Sequence, residues 1–376
     1  MGRTFVLFRG RRLSYFSGCD YFRLSSHPRV LAAVRRGLDR FGLNVAASRL
    51  TTGNHPLYLE LEAALARFFA AESATLVSSG YLTNLATAQA LAGEFSHVLI
   101  DERAHASLFD AATQFQCPVV RFRHRDAADV VRAIRAAGRG ARVILLTDGT
   151  FAHDGAMAPL LAYRRVLPSS GWLLVDDAHG AGVVGRMGRG TLEAACVDRE
   201  RTVQTVTLSK AFGAHGGAIL GAKEVVERVR TRSAAFFGNT PLPLPLAAAA
   251  LTALKILAGD TAMRERLRRR VREVKGALAS AGLELSDTDC PIIPMPAGSP
   301  RAAEKFKERL LRAGIYPPFL RYPGGPAQGS FRFVLSSEHT EPQLENLMRV
   351  LLDHLGIGST GRRRRPRAGA GASSKG

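Results

Sequence analysis

At 376 residues the chain exceeds the roughly 250 to 300 at which single hydrophobic cores stop growing, so two or more lobes are expected. Apolar residues make up 46% of it and charged residues 22%, which excludes a fibrous or largely disordered chain. The formal charge of +20 invites a nucleic-acid reading, but six basic groups, Arg362 to Arg365, Arg367 and Lys375, fall in the last fifteen residues. That Gly, Ala, Ser and Arg composition cannot bury a core, so 357–376 is expected to be a disordered basic tail with weak attraction to polyanions and no nucleic-acid-binding module.

From the N-terminus, the apolar run 4–8 is too short for a signal-peptide core, and Val6 stands where a myristoylation signal needs Ser or Thr. A short arm then ends in Leu24-Ser25-Ser26-His27-Pro28, a helix start. Val30, Leu31, Val34, Leu38 and Phe41 follow at helical spacing and predict one buried face, with Gly42 as the stop. A second amphipathic segment over 55–69 places Leu57, Leu61, Leu65 and Phe68 together.

Short apolar runs next alternate with helical patterns. The runs 74–77, 98–100, 119–122, 143–147, 172–175, 203–207 and 218–221 are strand candidates, and helical stretches such as 127–137 and 159–167 lie between several of them. Such alternation signals right-handed βαβ crossovers and an α/β fold with a mostly parallel sheet flanked by helices. The longest apolar stretch, 241–254, holds three prolines and is shorter than the roughly 18 residues a membrane span needs, so it reads as a buried turn and helix. A charged helical segment, 263–281, leads into a smaller α+β lobe with strands near 291–295 and 330–335 and helices over 302–313 and 341–355. The expected organisation is an arm and helix (1–43), a large domain (44–258), a small α+β domain (259–356) and the tail. The cysteines, Cys19, Cys117, Cys196 and Cys290, form no C-x-x-C pair. Neither a zinc site nor a disulfide framework is indicated, which fits a reducing cytoplasm.

Four strand ends carry polar groups that bear on chemistry. Leu208-Ser209-Lys210-Ala211 follows the run ending at Thr207, so Lys210 falls at the carboxyl edge of a buried sheet, where α/β sheets bind ligands. A desolvated lysine there can attack an aldehyde, although a surface lysine in a loop gives the same hexapeptide. Asp176-Asp177-Ala178-His179-Gly180 ends another apolar run. Asp176 can pair with a protonated pyridine nitrogen and His179 can bond a ring hydroxyl, while a metal site or a helix cap is the alternative. Ser78-Ser79-Gly80-Tyr81 precedes a helix expected near Leu82, whose free N–H groups suit a phosphate; alone it is an ordinary turn. His105, in Arg103-Ala104-His105-Ala106-Ser107, can cover a ring or serve a structural role. The joint occurrence points to a phosphorylated aldehyde cofactor.

With these motifs in place, the chain from about Asp20 to Leu355 resembles the α-oxoamine synthase family of fold-type I pyridoxal 5'-phosphate (PLP) enzymes. The resemblance rests also on Ser48-Arg49-Leu50, Asn84, Asp154-Gly155 and Thr207-Leu208-Ser209-Lys210. It implies a PLP-dependent transferase fold in which Lys210 holds the cofactor as a Schiff base and serves as acid and base. Ser79, Gly80, Tyr81, His105, Asp176, His179, Thr207, Asn239 and Thr240 contact PLP, with the 237–241 segment reaching the phosphate of a second subunit in a homodimer. Arg332 clamps the amino-acid carboxylate, and Asn84 belongs to the substrate side. The implied reaction condenses alanine, glycine or serine with an acyl thioester, from acyl-CoA or an acyl carrier protein, to an α-amino ketone. Another PLP reaction on the same fold, such as transamination, and a noncatalytic PLP-binding protein are the alternatives. Four departures from the family pattern fall near the substrate: Asn44-Val45-Ala46-Ala47, Ala152, Pro323-Gly324-Gly325-Pro326 and Asp20.

Overall fold

The computed structural model describes residues 3–321 and 328–356. The chain opens with a hairpin, β1 (Phe5–Phe8) against β2 (Arg11–Ser14), closed by Arg9 and Gly10 at φ 49° and 74°. Two positive φ values suit the right-handed twist of a tight hairpin. It was not expected from the sequence, where its short strands show no buried alternation. The hairpin docks on the far end of the chain, where Ser14 N–H donates to Gly314 O at 2.8 Å and Tyr316 N–H to Ser14 O at 2.9 Å.

Helix α1 (Pro28–Phe41) begins as expected, with Pro28 in its first turn, and stops at Gly42, φ 68°. Its buried face differs from the expected one. Val30, Ala33 and Gly37 are buried, whereas Leu31 and Leu38 stand 38% and 50% exposed. The cause is close packing: a Cβ on Gly37 would lie 2.9 Å from Pro245 Cα, so the contact admits only small side chains and rotates the leucines outward. Helix α2 (Pro56–Phe69) buries Tyr58, Leu61, Glu62, Leu65, Ala66 and Phe69.

The seven expected strands all form, as β3 (Ser73–Val77), β4 (His97–Asp101), β5 (Val119–Phe122), β6 (Val143–Asp148), β7 (Trp172–Asp176), β8 (Thr202–Thr207) and β9 (Gly217–Gly221). They build one sheet in the order β3-β9-β8-β7-β6-β4-β5. Only β9 runs against its neighbours there, so β3, β4, β6, β7 and β8 end on one edge. The intervening helices are α3 (Gly80–Ala90), α4 (Ala106–Gln114), α5 (Ala127–Ala137), α6 (Leu160–Val166) and the short α7 (Thr191–Ala194). Strands β6 and β8 are buried along their whole length, which is why they read as continuous apolar or threonine-rich runs.

After α8 (Lys223–Arg232) and a single turn, α9 (Ala234–Phe237), come α10 (Leu244–Gly259) and α11 (Thr261–Ser280). Among the described residues no single helix is long and apolar enough to cross a membrane. The apolar α10 is instead core material, with Leu244, Ala247, Leu251 and Leu254 buried. The remaining elements are β10 (Ile292–Pro296), α12 (Pro300–Arg312), β11 (Phe319–Leu320), β12 (Ser330–Val334) and α13 (Glu341–His354), with a small antiparallel sheet in the order β10-β12-β11. Buried side chains run without a break from α2 and α10 through α11 into β10, β12 and α13. The 357–376 tail and the Pro323–Pro326 departure lie outside the described residues.

Candidate active site

A cleft of about 210 Å³ opens at the shared strand edge, lined by Gly80, Tyr81, His105, Ser107, Asp148, Asp176, Ala178, His179, Thr207 and Lys210. Eight of the residues singled out by sequence meet near it, Ser79 standing just behind the wall, and each is placed by a strand end or helix start.

The helix expected near Leu82 starts two residues earlier. Ser79 caps α3, its Oγ accepting from Leu82 N–H at 3.3 Å, so the first N–H groups of an eleven-residue helix face the cleft. A Cβ added to Gly80 would lie 2.7 Å from Thr207 Cβ and 2.8 Å from Thr207 Oγ1, both closer than ordinary contact. The glycine is thus demanded by the close approach of α3 to β8, and the start of the helix stays open to an anion. Thr207 Oγ1 in turn accepts from Ser209 N–H at 3.2 Å, tightening the turn that carries Lys210.

Lys210 Nζ meets His179 Nε2 at 2.8 Å, and His179 Nδ1 meets the Tyr21 hydroxyl at 2.6 Å. Burial pushes Lys210 below the ordinary lysine range, with Arg332 adding to the effect. Burial, then the charges of Lys210, Arg332 and His105, push His179 well below the imidazole range, so it is neutral. In either tautomer this neutral ring bridges the buried Tyr21 to the lysine. Tyr21 was not assigned a role from sequence, because it lies 189 residues from Lys210 in an arm without periodicity.

Asp176 ends β7 and accepts from Asn84 Nδ2 at 2.7 Å and from Ala178 N–H at 3.1 Å. Asn84 is wholly buried: it also donates to Ser107 Oγ at 2.9 Å and accepts from Thr205 Oγ1 at 2.8 Å. This corrects the expectation that Asn84 contacts substrate. Its carboxamide is spent holding Asp176 from behind, at the inner face of α3.

Neither of the alternatives for the two acids describes Asp176, but a cap describes Asp177. Its carboxylate accepts from Thr191 N–H at 2.7 Å, capping α7, and from Gln204 Nε2 at 2.6 Å. Burial pushes it up to about 6. A Cβ on Gly180 or Gly190 would fall 2.0 or 1.8 Å from its oxygens, so the turn bearing Asp176 and His179 closes around this carboxylate.

His105 caps α4 with its ring, Nδ1 lying 2.8 Å from Ser107 Oγ, while its backbone N–H donates to Asp148 Oδ2 at 2.8 Å. Burial pushes its pKa down. Tyr81 sits at the mouth, 42% exposed, edge-on to His105 at 6.2 Å, its hydroxyl donating to Asp110. Asp148, unremarked in the sequence reading, ends β6 just as Asp176 ends β7; an acid closing an apolar strand was the signal available for it.

Arg332, on β12, donates through Nη1 to Ala152 O at 2.9 Å and through Nη2 to Cys19 Sγ at 3.7 Å. A carbonyl and a thiol are weak partners for a guanidinium fork, which leaves it available to a carboxylate. Asn239 and Thr240 do not line the cleft. Asn239 Nδ2 donates to Ser78 Oγ at 2.6 Å behind the cradle, and Thr240 is exposed. Of the departures, Asp20 turns away from the cleft, accepting from Leu24 N–H at 2.9 Å and Ser25 N–H at 3.1 Å. Asn44 accepts from Ala46 N–H at 2.7 Å in a turn of its own.

The residues present fit PLP: a helix start kept open by Gly80, a carboxylate held at the cleft wall, a neutral imidazole and a half-buried amine. The profile described as aminotransferase class I and II matches residues 18–351. An 8-amino-7-oxononanoate synthase of Thioalkalivibrio sulfidiphilus is 36% identical over 345 residues, covering 91% of this chain and 88% of that protein. Serine palmitoyltransferase of S. paucimobilis, solved with PLP joined to myriocin, superposes with a TM-score of 0.87 at 28% identity, over 94% of this chain and 90% of that one. An 8-amino-7-oxononanoate synthase structure from Francisella tularensis gives 0.78 at 25% identity, over 91% and 98%.

Proposed function

The chain belongs to the class I and II aminotransferase family, in its α-oxoamine synthase branch, and from that membership we propose that it condenses alanine with a seven-carbon dicarboxylic acyl thioester. The chemistry of the relatives' named product motivates the choice. In 8-amino-7-oxononanoate, the amine-bearing carbon and terminal methyl are those of decarboxylated alanine, and the other seven carbons are a dicarboxylic acyl group. The new carbon–carbon bond replaces the thioester bond, releasing carbon dioxide and free thiol. Serine is the competing amino acid, as in the name of the other neighbour, and acyl-CoA and acyl carrier protein are the two donor forms.

The observation that carries the reading is the Lys210–His179–Tyr21 chain, half-buried at Lys210 and buried beyond it, in a cleft with Asp176 on its wall. Gly80 and the start of α3 would hold the phosphate of PLP, His105 its ring face, Asp176 its nitrogen, His179 its hydroxyl and Lys210 its aldehyde carbon. When bound, PLP supplies an electron sink for a carbanion at the amino-acid α-carbon. Lys210 Nζ, its pKa lowered by burial, takes and returns the proton at that carbon. His179, neutral and braced by Tyr21, keeps this amine aimed into the cleft. Arg332 orients the substrate through its carboxylate, exchanging Ala152 O and Cys19 Sγ for the incoming oxygens. A homodimer completes the reading: Leu31, Leu38, Leu43, Leu50 and Leu59 are 38 to 65% exposed along the first two helices and the loop joining them, and Asn239 and Thr240 would serve the partner's phosphate.

The test has two steps. Purified chain supplied with PLP should gain a visible absorption band that is lost in Lys210→Ala, and alanine with a seven-carbon dicarboxylyl-CoA should then release thiol. Nitrogen transfer to a keto acid without thiol release would favour transamination, and a visible band without turnover a noncatalytic binder.

A further inference from the structure

Two carboxyl groups close neighbouring strands of the main sheet. Asp148 and Asp176 are register partners in the parallel β6–β7 ladder, and Gly149 N–H donates to Asp176 O at 2.7 Å. The ladder therefore puts both side chains on one side of the sheet, about one strand spacing, roughly 4.8 Å, apart at the backbone. Both line the cleft and both are buried, 5% and 7% exposed. Two anions so placed oppose each other, and the pair holds a proton on one member.

The hydrogen bonds decide which member is neutral. Asp176 accepts from Asn84 Nδ2 at 2.7 Å and from Ala178 N–H at 3.1 Å, whereas Asp148 accepts from His105 N–H at 2.8 Å. The carboxylate with more donors keeps the charge. His105 is pinned at two points, its ring to Ser107 and its backbone to Asp148, so Asp148 fixes where the ring enters the cleft.

We propose that Asp148 is the positioning residue that presents His105 to the face of the cofactor, and that it does so as a neutral carboxyl group, leaving the negative charge of the pair on Asp176. The proposal rests on the PLP reading above. Burial and then the charge of Asp176 push Asp148 well above the usual carboxylate range, with Asp101 acting the same way and Lys210 and the His105 N–H opposing. The assignment gives the two strand ends separate tasks: one carboxylate for the ring nitrogen and one uncharged anchor for the ring cover.

The test compares full-length Asp148→Asn, Asp148→Ala, His105→Ala and the double variant by PLP dissociation constant and by visible circular dichroism of bound PLP. D148A should weaken PLP about tenfold, the loss of one anchoring hydrogen bond, and diminish the dichroism. D148N, whose amide oxygen still accepts from His105 N–H, should restore affinity to within about threefold of the parent chain. The double variant should bind no worse than H105A. Asp148→Ser, too short to reach the His105 N–H, replaces D148A if that variant does not fold. D148N as impaired as D148A overturns the neutral anchor, and D148A as tight as the parent, or losses that multiply in the double variant, overturn the positioning role. A parent chain that gains no visible band instead sinks the cofactor reading itself.

Discussion

Replacing Gly80 by alanine adds one methyl group where the structure has no room for it. The new Cβ would sit 2.7 Å from Thr207 Cβ and 2.8 Å from Thr207 Oγ1, against an unstrained carbon–carbon separation of about 3.5 to 4.0 Å. Thr207 ends a fully buried strand and cannot retreat, so the start of α3 must move by about 1 Å. Overpacking of this kind costs about 1 to 3 kcal/mol. Because the displaced atoms are the N–H donors that would hold phosphate, the cost falls on PLP affinity, about 10- to 100-fold by titration of the visible band. Pairing G80A with Thr207→Gly removes both short contacts, leaving Thr207 Cα at 3.4 Å, and should recover part of the loss. G80A binding PLP as tightly as the parent chain would show that the anion does not sit at this helix start.

Arg332→Ala removes a charge-assisted clamp of about 3 kcal/mol; kcat/KM for the amino acid should fall roughly 100-fold, mainly through KM. Arg332→Lys should recover only part, since it restores charge without the fork, and an unchanged KM in R332A would remove Arg332 from substrate binding. Burial lowers Lys210 from its ordinary 10.5; the unfolded chain then binds the proton more readily, and this opposition to folding fades as pH rises toward 10.5. The denaturation free energy of the apoprotein should therefore climb relative to Lys210→Met as pH rises toward 10.5, and parallel profiles would mean the amine is not desolvated. Asp177 shifts the opposite way, from 3.8 to about 6. Its folded form holds the proton longer, so its contribution is complete below 3.8 and lost as pH rises through 6, with a ceiling of about 3 kcal/mol. Asp177→Asn should lack that decline relative to the parent chain, and an identical pH profile would refute the assignment.

The main sheet was legible because most of its strands are buried on both faces. Runs such as Val143–Asp148 and Trp172–Asp176 have little room for polar residues, and the helices between them keep a 3.6-residue period. The site's outline was legible for a related reason: an acid, a histidine or a lysine directly after such a run is out of place unless the strand edge uses it. Hence Asp176, His179, Lys210, His105 and Gly80 stood out as candidates in their local patterns, while their roles came from the family resemblance.

What escaped was whatever depends on packing between distant segments. The face of α1 was misjudged because side-chain size, not hydrophobicity, governs where Gly37 meets Pro245; leucines at correct helical spacing then point outward. Asn84 illustrates the same limit within the site. The family resemblance put it on the substrate side, but the tight seating of Gly80 on Thr207 holds that helix close on the sheet. Asn84 is thereby pressed against Asp176 and Thr205, with no exposed surface. The glycine that opens the phosphate cradle on one side of α3 is thus also what delivers the hydrogen bond that holds the Asp176 side chain on the other, so loosening the first should weaken the second.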